Sequence, residues 1–96
     1  MNPDSFEAHA NLGEGYFKLE RFSDAIASLK RAIELKPDSA EAHDYLGAAL
    51  LKVGDRENAM EQFQMIKNLK PEFQGELAKL LRTENSADQQ SNSLTS

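Results

Sequence analysis

Two histidines, His9 and His43, stand among sixteen acidic residues in a chain of 96. Histidine beside carboxylate is the raw material of metal ligation and of acid–base transfer. Both uses need several groups converging from short spacings, and the chain has no HExxH, no EF-hand loop and no Glu-x-x-His pair. The two histidines instead occur in one repeated setting, Glu7-Ala8-His9 and Glu41-Ala42-His43, so duplication accounts for the pair without a site. Asp4, Asp38 and Glu72 each precede an expected helix, where a carboxylate caps free N–H groups and meets the positive end of the dipole. Gly13-Glu14-Gly15 follows no expected strand and lacks the later glycine and lysine of a phosphate cradle. Ser23 and Ser28 have no local His or Lys arrangement that would make a nucleophile. Without cysteine there is no thiolate metal site and no disulfide staple. The expectation is a chain with no catalysis, cofactor or metal of its own.

Composition narrows the partners. Eleven basic against sixteen acidic residues give a net charge of −5, a field that repels phosphate backbones and anionic lipid. Nucleic acid and membrane are therefore not expected partners. The longest apolar run, Ala48-Ala49-Leu50-Leu51, falls far short of the roughly 20 residues that span a bilayer. No targeting segment is visible, and a cytoplasmic location is expected.

What must position any interacting side chains is a repeat. Pro3-Asp4-Ser5 recurs as Pro37-Asp38-Ser39 and, more loosely, as Pro71-Glu72-Phe73. Sliding residues 3–36 onto 37–70 also superposes Glu7 on Glu41, Leu12 on Leu46, Gly13 on Gly47, Lys18 on Lys52 and Ala25 on Ala59. Twelve of 34 positions match without a gap, too many for coincidence. Apolar residues within each unit recur at helical spacing: Ala8, Leu12, Tyr16 and Leu19, then Ala42, Leu46, Leu50 and Val53. These stripes are expected to face inward. Second helices carry Phe22, Ala25, Ile26, Leu29, Ala32 and Ile33, and then Ala59, Phe63, Ile66 and Leu69, with Asp55 expected to cap the latter helix. Pro37 and Pro71 each close one hairpin and open the next.

Beyond Pro71 the pattern restarts and stops after one helix with Phe73, Leu77, Leu80 and Leu81 on its apolar side, which suits a cap over the open end of the second hairpin. The expected organisation is one unit over 1–82, with repeats at 3–36 and 37–70 and a capping helix at 71–82. A disordered polar tail is expected over 83–96, where Leu94 is the one large apolar residue.

On these residues the chain resembles the tetratricopeptide repeat family. Leu12-Gly13, Tyr16, Ala25, Leu29, Ala32 and Pro37 fill the family's spaced positions in the first unit, and Leu46-Gly47, Leu50, Ala59, Phe63 and Pro71 fill them in the second. Ile66 departs from the pattern, standing where a small residue is usual. The resemblance implies an all-α, right-handed helix-turn-helix repeat solenoid of five helices. Gly13 and Gly47, with Ala25 and Ala59 opposite them, are expected at the close approaches within each hairpin.

The resemblance also implies a protein-interaction module whose first helices line a concave groove for a partner's peptide segment. If the Leu12 and Leu46 stripes face inward, helical geometry puts Asn11, Glu14, Phe17 and Lys18 on the adjoining flank, matched by Asp44, Tyr45, Leu51 and Lys52. These eight are the expected groove residues, with the alternative that Phe17 and Leu51 pack against their own second helices. Asparagine at the place of Asn11 often holds a ligand backbone in the family, and Tyr45 replaces it on the next rung. Family members that clamp a chaperone's C-terminal carboxylate use Lys and Asn where this chain has Ala10, Glu14, Tyr45 and Gly75, with a compatible charge at Lys79 alone, which argues against that ligand. The carboxylates on the flank, Glu7, Glu14, Glu41 and Asp44, instead give a weak preference for basic segments. The alternative function is a self-association or spacer element, with a homo-oligomer formed through the exposed first hairpin.

Overall fold

A computed structural model of the chain describes residues 4–83, which form five helices and no strand. They are α1 (Phe6–Lys18), α2 (Phe22–Leu35), α3 (Ala40–Lys52), α4 (Arg56–Leu69) and a shorter α5 over residues 76–83. Thr83, the last described residue, donates its hydroxyl to the Lys79 carbonyl at 3.0 Å. The rest of the expected tail, 84–96, lies outside the described residues.

Helix starts follow from local chemistry. Ser5 and Ser39 cap α1 and α3, each hydroxyl accepting from the N–H three residues on, at 3.1 and 3.2 Å. The caps are thus one residue beyond the expected Asp4 and Asp38. Asp4 reaches α2 instead, accepting from Arg31 Nε at 3.0 Å and lying 3.3 Å from His9 Nε2. The Arg31 guanidinium, then His9, holds the Asp4 carboxyl below its usual pKa. Asp55 caps α4 as expected, accepting from the Asn58 N–H at 3.3 Å.

The corner between the helices of each hairpin is built the same way twice. Arg21 N–H donates to the Tyr16 carbonyl at 2.8 Å and Glu20 N–H to Phe17 at 3.0 Å. Asp55 and Gly54 repeat this on Leu50 and Leu51 at 2.9 and 3.1 Å. This crossed pair is a Schellman closure, and it needs one residue in the left-handed region. Gly54 supplies it with φ 89° and Glu20 with φ 62°.

The third start differs. Phe73 stands where Ser5 and Ser39 do, and it has no hydroxyl to offer. The chain turns at Pro71-Glu72, and α5 begins at 76 rather than at the expected 71. Its cap comes from another helix. Asp44 of α3 accepts from the N–H groups of Glu76 and Leu77 at 2.9 and 2.8 Å. Gly75 makes room, since a Cβ there would overlap the Asp44 carboxylate and the Phe73 ring. Glu72, expected as the cap, does not fill that role.

The core gathers Ala25 and Leu29 from α2, Leu46, Ala49 and Leu50 from α3, Ala59 and Ile66 from α4, and Leu77 and Leu81 from α5. Ala25 and Ala59 are fully buried, and the atoms nearest the glycines belong to other side chains. A Cβ on Gly13 would strike Leu29, and one on Gly47 would strike Leu77 and crowd Gln62. Ile66, despite its size, is buried and accommodated. His43 is buried too, with Nε2 2.7 Å from the Pro37 carbonyl and Nδ1 2.6 Å from Gln62 Oε1, tying α3 to the preceding turn and to α4.

One expectation fails. Leu19 and Val53, at equivalent places after α1 and α3, are both exposed, at 70% and 50%, and of the other equivalent pair Leu46 is 4% exposed whereas Leu12 is 49% exposed. For Leu12 the reason is position in the stack. α2 packs on α3, and no described residue packs on the corresponding side of α1.

Candidate functional site

Along the other side of α1, where it runs beside α3, lies a cleft of about 230 Å³. Glu7, Ala10, Asn11 and Glu14 line it from α1, and Glu41, Ala42 and Tyr45 from α3. Leu29 reaches it from α2, and Phe6, Lys36 and Ser39 complete the lining. Helical spacing accounts for the α1 wall, because residues three, four and seven apart share a face.

Of the eight expected groove residues, Asn11, Glu14 and Tyr45 line this cleft. Lys18 sits beside it, its ammonium 2.9 Å from the Glu14 carboxylate. Phe17 is committed to packing: its ring meets Phe22 and Tyr45 edge-on, each at 5.6 Å between centroids. Leu51 is half-buried against the core. Lys52 is exposed and outside the cleft lining. Asp44 drops out of the groove altogether, being 3% exposed and consumed by the α5 cap.

Electrostatics extend the surface across a third helix. Burial, then the Glu14 carboxylate, pushes the Tyr45 phenol above its usual pKa, and Glu76 of α5 acts in the same direction. The hydrogen bond to Glu14 raises the Lys18 ammonium, and Tyr45 and Glu76 add to that shift. Glu76 of α5 thus bears on the charge of the two groove-side groups, although it is not part of the cleft lining. Lys79 sits 3.7 Å from Glu76.

Phe6 and Lys36 were not expected in the groove. Glu76 stands at the start of α5, which is late because Phe73 takes the place of a capping serine. Lys36 lies over the Phe6 ring at 5.2 Å, a pairing between the far ends of α1 and α2 that spacing along one helix does not reveal. Among the described residues, no group of three or more His, Asp or Glu is placed to hold a metal ion. The arrangement offers hydrogen-bond acceptors, an amide and an aromatic ring, which suits non-covalent recognition. Among the described residues no helix is long and apolar enough to cross a membrane.

Comparison with known proteins agrees with this architecture. Residues 15–54 match the family model described as TPR repeat. The crystal structure of MamA, a tetratricopeptide repeat protein, superposes with a TM-score of 0.72 at 32% identity over 75% of this chain. The chain spans 42% of the MamA chain. No curated protein matches the sequence. Repeats of this kind generally mediate protein–protein interaction. With its 34-residue duplication, five stacked helices and these two matches, the chain belongs to the tetratricopeptide repeat family.

Proposed function

We infer that the chain holds a segment of a partner protein along the concave face of α1, α3 and α5, without chemistry of its own. The observation that carries this reading is the cleft between α1 and α3, where Glu7, Glu14 and Glu41 face a single lining cation, Lys36. That imbalance favours a segment bearing Lys or Arg. The Asn11 amide offers both a donor and an acceptor to an extended backbone, and Tyr45 supplies a broad ring on which a side chain can rest.

Fluorescence polarisation against matched sets of labelled peptides, one set with Lys or Arg and one with Glu at the same places, tests this. Basic peptides are expected to bind and acidic ones to fail. Tyr45→Ala and Asn11→Ala, in chains whose helicity is unchanged, should each weaken binding by about tenfold, as central interface residues do. Equal binding of both peptide sets, or indifference to both substitutions, overturns the reading.

A further inference from the structure

Of the three carboxylates that line the cleft, Glu14 already holds a cation. The Lys18 ammonium donates to it at 2.9 Å from one turn further along α1. Lys18 is not itself part of the lining, so its charge reaches the cleft through Glu14.

The pair belongs to α1 and is not repeated in α3. Lys18 recurs as Lys52, but Glu14 recurs as Ala48, which is fully buried. Lys52 therefore has no carboxylate one turn before it, and the ion pair stands only where α1 borders the cleft. Groups on two further helices favour a cation at the same point. After Glu14 itself, the Tyr45 phenol of α3 and the Glu76 carboxylate of α5 both act to keep the Lys18 ammonium charged.

We propose that Lys18 is an internal competitor for the groove: its ammonium occupies the Glu14 carboxylate until an Arg or Lys of the bound segment takes that carboxylate over, and Lys18 then turns to solvent. This rests on the reading of the groove as a site for basic segments. The resident ammonium marks the chemistry that the place accepts. Exchange is easy because both partners of the pair face water, Lys18 being 66% and Glu14 39% exposed, and an ion pair in high dielectric is loosely held. An arginine has the advantage in that exchange. It offers a carboxylate two parallel N–H groups, whereas Lys18 offers a point charge. The position of the incoming side chain is set as well. Asn11 lies three residues before Glu14 on the same wall of the cleft, so a segment whose backbone is held at Asn11 delivers its cation one turn further along α1.

Fluorescence polarisation with the labelled Arg- and Lys-bearing peptides, on the full chain and with helicity checked in each variant, is the test. Lys18→Met should tighten binding about threefold, the opposite of what loss of a contact residue does. Lys30→Met removes the same charge from the exposed side of α2 and should leave affinity unchanged. In a chain carrying Glu14→Gln, adding Lys18→Met should give no gain, because the contested carboxylate is gone. Unchanged or weaker binding by Lys18→Met, in a chain whose peptide binding is still lost with Tyr45→Ala, overturns the competition and leaves the groove reading standing. An equal gain from Lys30→Met, or a gain that persists beside Glu14→Gln, assigns the effect to net charge and overturns the competition too. Failure of every basic peptide to bind any of these chains, Lys18→Met included, overturns the competition together with the groove reading.

Discussion

Glu20 and Gly54 hold the same corner of the two hairpins, both with positive φ, and only the glycine does so free of steric conflict between Cβ and backbone. Glu20→Gly should therefore stabilise the chain by about 0.5–1 kcal/mol, seen as a higher midpoint in urea with an unchanged slope. Asp44 is the other residue that sets a whole local geometry. Burial raises its carboxyl above 3.8, while the N–H groups of Leu77 and Glu76 pull it back. The folded chain then binds this proton more tightly than the unfolded one. As pH rises past 3.8 the unfolded state loses the proton first, so this group's contribution to stability falls until the folded value is passed and is level thereafter. Asp4 acts with the opposite sign, since its carboxyl is lowered: its contribution is present above 3.8 and lost as pH falls through the folded value. Comparing urea midpoints across mildly acidic pH in the original chain and in Asp44→Asn should isolate the falling component. Asp44→Ala, which leaves two N–H groups of α5 without their acceptor, should cost about 1–3 kcal/mol.

Equivalent elements of a repeat need not carry equivalent load, and α1 and α3 differ most. Leu46→Ala should cost about 2–4 kcal/mol and leave a cavity, whereas Leu12→Ala, measured where the chain is monomeric, should cost less than about 1 kcal/mol. Gly47→Leu should be severe, about 3 kcal/mol or more, because Leu77 and Gln62 leave it no space. How well the elements were legible follows the same divide. The spacing of Leu12, Ala25, Leu46 and Ala59 announced four helices, and Asp55 announced the start of one of them, because those signals are local and periodic. Two things were not legible. Leu12 and Leu46 are identical in sequence, and only a neighbour's presence or absence decides which is buried. Asp44 reads as one more surface carboxylate until α5, 32 positions on, is folded against it. The groove was half visible for that reason: Asn11, Glu14 and Tyr45 follow from helix geometry, while Phe6 and Lys36 meet only once α1 and α2 are folded against each other.

At the scale of the whole molecule, stability is passed between neighbours in a row, as in any stack whose elements touch only those beside them. α3 holds eight buried residues, and α1 holds Gly13 alone. Amide hydrogen exchange should accordingly be slowest in α3 and become faster toward α1. The cap on α5 adds an order of events. Ser5 and Ser39 let their helices begin on local information, but α5 has no starter of its own and borrows one from a side chain that is in place only once α3 is formed. It is a conditional helix, and its appearance reports on the state of another. Because the chain contains no tryptophan, a single one placed at Gln74 would give an unambiguous clock. In a refolding experiment its signal should lag the rise in total helicity, and in Asp44→Ala it should lag further still.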